Sequence, residues 1–252
     1  MHSKIIPIKT EHALAESVVF FTLSKKAATY IEFFKDIYLS NLIDKECVVK
    51  RTQKRSSTEI ALLKNDNIIW KIIFVDKCIG VECHEYTRWS KFFDIAKNIF
   101  SNLDAFILND IKGIGLYVED GFDVMMEKET GRDFALNELF NKKSKFIVPV
   151  FFDTKYPPAL SAYRFHEHNI QCKNFSYCLE NDIKIIANFS DSGLNFIVAH
   201  RQISSFRDKK GKIGNTDIRE IFETVTQVMH ERNKEYVSNI LEKDVLKSIG
   251  LM

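Results

Sequence analysis

Apolar residues along the chain recur with two periods, and the changes between them divide it into elements. "ALAESVVFFTL" (13–23) is β-branched and aromatic and predicts a strand. In 25–43, Tyr30, Phe33, Phe34, Ile37 and Tyr38 recur at helical spacing. "CVVKRT", "TEIALLK", "IIWKIIFV" and "CIGVECH" then follow as closely spaced strands. "KNDN" (64–67) and "DK" (76–77) supply turns between them, so this region reads as an antiparallel meander. From Arg88 to Leu103 the period returns to that of a helix. Trp89, Phe92, Phe93, Ala96, Ile99, Phe100 and Leu103 form its apolar stripe, and Thr87 stands where an N-cap is needed. "GIGLYVEDGFDV" (113–124) reads as a strand with a tight turn at Asp120-Gly121.

The second half repeats the plan. "SKFIVPVFFD" (144–153) reads as a strand broken by "YPP" (156–158), and "FSYCLE", "IKIIANFS" and "LNFIVAHRQI" as another meander. A long helix over 216–237 carries Ile218, Ile221, Phe222, Val225, Val228 and Met229 on one face, with Thr216 as its cap. A short helix ends at Gly250. "KNDNIIWKIIFVDKCIGVECH" and "ENDIKIIANFSDSGLNFIVAH" share an Asn-Asp, a Phe-x-Asp turn and a closing histidine, His84 and His200. The expected fold is α+β with two related halves, 1–126 and 127–252. Each is an antiparallel β-meander packed by a long helix, and "MEKETGRD" (126–133) is the join.

Composition narrows the class. With 252 residues, 45% hydrophobic and 28% charged, the chain is long enough for a filled core and too apolar for disorder. Only nine glycines argue against a phosphate-cradling loop. A net charge of +2 carries no global nucleic-acid signal. Five irregularly spaced cysteines read as free thiols in a reducing cytoplasm. Glu11, His12 and Glu16 interrupt any apolar leader, and no stretch approaches the ~18 apolar residues of a membrane span, so the expected location is cytoplasmic.

Candidate chemistry is sparse. Cys78, Cys83 and His84 lack a second ligand pair for zinc, and strand alternation sends Cys83 and His84 to opposite faces. Core cysteine plus edge histidine is the expectation there. His166 and His168 would share a strand face, with Glu167 between them. Two imidazoles alone hold a metal weakly, and a His–Glu pair would suit acid–base chemistry, so this trio marks an enzyme alternative. "HER" (230–232) lacks the second histidine of a zincin helix, and "KGIG" (112–115) lacks the third glycine of a dinucleotide loop. No catalytic signature is complete, so no enzyme activity, cofactor or metal is expected.

Two charge clusters remain. Lys50, Arg51, Lys54 and Arg55 surround a hairpin turn and suit nucleic acid or an acidic partner. Glu119, Asp120, Asp123, Glu127 and Glu129 frame Phe122, Met125 and Met126. An apolar anchor rimmed by acid suits a protein interface facing a basic partner, with Phe122 as the anchor.

Several features in order resemble a large family of bacterial proteins of about this length with no assigned activity. They are the strand "AESVVF", a Trp-containing strand, Tyr86-x-x-Trp89-x-x-Phe92, the strand "IGLYVED", and His230 followed by Tyr236 on a late helix. Leu116 stands where that family carries arginine. The resemblance implies a two-part α+β fold without catalysis. The chain also looks like the immunity proteins of bacterial contact-dependent growth inhibition systems. Their likeness implies a cytoplasmic protein that occludes a cognate toxin domain, such as a nuclease, and needs no membrane, nucleic acid or small-molecule substrate.

Overall fold

The computed structural model describes residues 4–7, 14–34, 47–84, 88–101, 103, 105–125, 132–153, 159–172, 175–190, 193–206 and 217–249. In the first half, β1 (Lys4–Pro7) and β2 (Leu14–Leu23) precede a 3₁₀ segment, Ala27–Phe33. Then come β3 (Val48–Gln53), β4 (Ser57–Lys64), β5 (Asn67–Val75) and β6 (Cys78–Cys83). Helices α1 (Trp89–Ser101) and α2 (Ala105–Leu108) lead into β7 (Ile111–Met125). The second half holds α3 (Arg132–Leu139), a 3₁₀ turn Pro149–Phe152, β8 (Ala159–Gln171), β9 (Ser176–Ser190) and β10 (Gly193–Phe206). Helices α4 (Ile218–Ile240) and α5 (Lys243–Ser248) follow.

All ten strands join one antiparallel sheet in the order β3-β4-β5-β6-β2-β7-β10-β9-β8, with β1 also paired to β7. This corrects the expected α+β fold of two halves, each with its own meander and helix. β7 from the first half pairs with β10 from the second over Gly115–Met125, so the ladder runs through both. Helix α4 serves both as well. Ile221, Phe222, Val225 and Met229 join the core formed by β2, β4–β7 and α1. Tyr236, Val237 and Ile240 join the core formed by β7, β9, β10, α3 and α5. At ~1.5–3 kcal/mol per fully buried large apolar side chain, each set is worth several kcal/mol. Neither core can give up the helix and keep a normal stability margin of ~5–15 kcal/mol.

Local expectations shift where distant partners decide. Asp120 and Gly121 form no turn. They pair with Val198 and Ile197 of β10 inside one continuous strand, because the ladder satisfies their backbone groups. Likewise "FSYCLE" and "IKIIANFS" merge into β9. The expected helix over 25–43 is a 3₁₀ segment over Ala27–Phe33, and 35–46 lie outside the described residues. The expected strand over 144–153 is a series of turns ending in the 3₁₀ turn, and the strand lies later, as β8. Asp217 caps α4, its side chain accepting from the Arg219 N–H at 2.9 Å, and Thr216 lies outside the described residues. The Asn65-Asp66 hairpin turn, with φ of 49° and 63°, lies where "KNDN" places it. On α1, Phe92 is buried and stacks on Trp70 at 5.7 Å, while half-buried Trp89 stacks on His230 at 3.9 Å. Thr87 and Tyr86 lie outside the described residues.

The buried side chains of every described helix and 3₁₀ segment pack in these two cores, on one face of the sheet. Among the described residues nothing covers the other face. There the Phe20 ring lies over Gly115, where an added Cβ would stand 2.1 Å from the ring. Glycine is therefore required at that position for the aromatic ring to lie flat on the sheet.

Candidate functional site

Strand alternation on β7 divides the acidic cluster. Val118, Phe122 and Val124 are buried in the helix-side cores, and Asp120 shares their parity. Glu119 and Asp123 point to the uncovered face with Tyr117. The Tyr117 hydroxyl donates to Glu119 Oε2 at 2.5 Å, and Asn195 Nδ2 donates to Asp123 Oδ1 at 2.9 Å. Burial first, and then Glu119, push the Asp120 carboxyl up to about 7. Phe122 is 0% exposed and stacks on Phe196 at 4.7 Å, so it is a core residue and not an interface anchor. Glu127 and Glu129 lie outside the described residues.

The trio on β8 is also split by alternation. His166 and His168 are exposed on the uncovered face, with ring centroids 6.1 Å apart. Glu167 turns the other way, toward α4. Its Oε1 accepts from the Tyr236 hydroxyl at 2.7 Å and from Asn181 Nδ2 at 3.2 Å, and its Oε2 pairs with Arg232 at 2.8 Å. A histidine–glutamate couple cannot form between side chains on opposite faces. Three donors also occupy the carboxylate, so it is held as a structural acceptor rather than a free base.

Glu167 ends a buried polar seam that local sequence motifs did not reveal. His200 sits between Asn181 and Asn233, 3.1 Å from each, and all three are buried. Burial pushes the His200 imidazole down to about 4, against the opposing pull of Asn233 and Asp182, so the ring is neutral at pH 7. Because Asn181 spends its N–H₂ on Glu167, its oxygen faces His200 and takes the Nε2 proton. Nδ1 stands 3.1 Å from Asn233 Oδ1, whose pull raises the pKa but does not offset burial. Next along β10, Gln202 Nε2 donates to the Met229 carbonyl at 2.7 Å. Ser204 Oγ donates to the Ile114 carbonyl at 2.8 Å and accepts from the Ile114 N–H at 2.9 Å. The available signal was alternation: His200, Gln202 and Ser204 occupy the same parity as Leu194, Phe196 and Val198, so they are polar side chains at core positions. The bonds of Glu167, His200 and Gln202 dock α4 on the sheet, while Ser204 ties β10 to β7.

The other candidates separate too. Cys83 is buried in the core, while His84 Nε2 pairs with Glu82 Oε1 at 2.8 Å. Around the β3–β4 hairpin, Arg51 donates to the Phe34 carbonyl and Lys54 pairs with Glu59 at 2.5 Å. Lys50 and Arg51, being adjacent in a strand, face opposite sides. Among the described residues, no group of three His, Cys, Asp or Glu side chains could hold a metal ion, and no helix is long and apolar enough to cross a membrane.

The uncovered face is the most extensive feature left. Register aligns Lys50, Ala61, Lys71, Glu82, Val18, Tyr117, Arg201, Asp182 and Arg164 across it in one row. Pairs at 2.9 Å (Lys71–Glu82), 3.3 Å (Arg201–Asp182) and 3.0 Å (Arg164–Asp182) hold its charges. One row away, Glu16 lies directly opposite Glu119. Burial, Glu82 and Glu119 together push the Glu16 carboxyl up. Nine strands at ~4.8 Å spacing make this face roughly 40 Å wide. Comparison of the sequence with protein-family models and with curated proteins gives no match.

Proposed function

We propose that this protein acts by binding, as a cytoplasmic immunity protein that occludes a cognate toxin domain, with a nuclease as the toxin class. The observation that supports this reading is the uncovered sheet face, on which Glu119 and Asp123 point outward. Even 25 Å of strand length across a width of roughly 40 Å is on the order of 1,000 Å², and a standard protein interface needs ~800 Å² per partner. Among the described residues, the buried imidazole with two hydrogen-bond partners, His200, is used for docking a helix. The mechanism is steric. A rigid sheet backed by two packed cores lies over the toxin's active site, and acidic side chains meet the cations a nuclease uses to hold its substrate. Co-expression with the protein encoded by the adjacent gene tests it. A stoichiometric complex and survival of the host are expected. Unbound toxin and unprotected cells would remove the reading.

A further inference from the structure

The two edges and the face of the sheet are not equally open to a partner. At the β3 edge stand Lys50 and Arg51, and at the β8 edge Arg164, His166 and His168. Charged side chains on edge strands oppose strand addition. β8 also carries a register irregularity between Glu167 and Ile170, with Asn169 at φ 54°. That break disturbs the regular ladder an added strand would extend. Binding is therefore directed to the face.

One region of the face combines apolar surface with carboxylates that make no salt bridge among the described residues, Lys71 and His84 acting on Glu16 only from beyond salt-bridge distance. Leu160, Ile186, Ile197 and Gly121 align across β8, β9, β10 and β7 in one outward row. Ala162, Lys184, Ala199, Glu119 and Glu16 form the next. Leu160 is 53% exposed, and Met125, two rows beyond Gly121, is 58% exposed. The β7 side of this patch is acidic. Glu16 and Glu119 are directly opposed like charges, which disfavours the pair, and Asp123 stands nearby with only an amide donor. Among the described residues, the salt bridges of the face (Lys54–Glu59, Lys71–Glu82, His84–Glu82, Arg164–Asp182, Arg201–Glu180 and Arg201–Asp182) include none of these three carboxylates. The four strands span roughly 15 Å, and β9 and β10, at 15 and 14 residues, run roughly 45 Å. That is on the order of 700 Å², close to one side of a standard interface.

We infer that the outward face of β8, β9, β10 and β7 is a docking surface for a protein whose contact region has an apolar centre and lysine or arginine along one side. Its centre would seat over Leu160, Ile186 and Ile197, and its cations would relieve the Glu16–Glu119 repulsion and pair with Asp123. Because the partner's cations meet carboxylates, binding weakens as salt rises. This inference rests on the binding function proposed above and adds where and by what chemistry the partner is held.

The test uses the full chain with the protein encoded by the neighbouring gene, titrated against wild type and three variants. Leu160→Glu places a charge in the apolar row, Asp123→Lys reverses the acidic side, and Asp94→Lys alters the exposed face of α1 as a control. Leu160 and Asp123 are exposed, so both variants retain the fold, checked by unchanged thermal melting. At least tenfold weaker binding for Leu160→Glu and Asp123→Lys, with Asp94→Lys unchanged, is the expected result. Wild-type binding with all three variants equal to it overturns the docking surface and leaves the function standing. No binding by wild type overturns the function and the surface with it. A wild-type dimer in light scattering that Leu160→Glu dissociates shows that a second copy occupies the face, and also overturns the inference.

Discussion

Lowering the pH from 7 to 4 tests the polar seam most directly, through His200. The ring is 1% exposed, and its pKa falls from the ordinary 6.5 to about 4 in the folded protein. In the unfolded chain it protonates near 6.5, while the folded chain resists until about 4. Between those values the unfolded state binds more protons, so stability falls as pH falls. The contribution is complete above 6.5 and is lost progressively down to about 4. At ~1.4 kcal/mol per pKa unit, the loss is about 3 kcal/mol. That is a large share of a typical stability of ~5–15 kcal/mol. Urea unfolding followed by circular dichroism at intervals between pH 7 and pH 4 measures it. His200→Gln has no titrating ring and keeps two hydrogen-bonding groups. It should be less stable than wild type at pH 7 and should lose about 3 kcal/mol less on acidification. His230, also pushed down to about 4 by burial and by Lys234, acts in the same direction in both proteins and cancels in the comparison. Parallel pH profiles for wild type and His200→Gln would refute the buried, neutral imidazole.

Asp110 ties the segment after β2 to the turn before β7, accepting from Ser24, from Lys25 at 2.9 Å and from buried Tyr30 at 2.5 Å. Asp110→Asn should cost about 1–3 kcal/mol in urea unfolding at pH 7, and an unchanged midpoint would count against the tie. The hydrogen bonds from Ser24, Tyr30 and Lys25 hold the Asp110 carboxyl down to about 2, so its stabilisation is present above 3.8 and lost as pH falls toward 2. The difference between Asp110→Asn and wild type should therefore shrink over that interval. Phe122→Ala should cost ~3–5 kcal/mol as a core truncation, whereas Asp123→Ala, one residue on and outward, should stay within ~0.5 kcal/mol. Comparable losses would contradict the alternation of β7.

How much was legible depended on whether local or distant groups satisfied each segment. Alternation predicted strands at β2, β4, β5, β6 and β10, and the helical stripes at α1 and α4 placed Phe92, Phe222 and Val225 inward. It also sent Cys83 inward and away from His84. Of β8 only the His166–His168 stretch was legible as extended, because Arg164, His166 and His168 on one face and Glu167 on the other interrupt the apolar alternation of Tyr163 and Phe165. The acidic segment was read as a strand broken by a tight turn because Asp-Gly is a turn signal. Ladder bonds from β10 and β1 make it a strand, and that strand buries Phe122 while leaving Asp123 outside.

The sequence by itself determined which short stretches alternate, which helices have an apolar face, and that no complete local catalytic motif is present. Those properties depend on neighbours one to four residues apart, and side-chain period expresses them directly. Only the tertiary structure decided that β7 and β10 join the strands into a single sheet, that α4 spans two cores, and that all described helices pack on one face. It also decided that Glu167, Asn181, His200 and Asn233 meet. The contacts of this seam join residues up to 69 positions apart, Glu167 and Tyr236, and the burial that makes them favourable exists only when the whole sheet has formed. The uncovered face has the same origin, since strand order decides which outward side chains become neighbours.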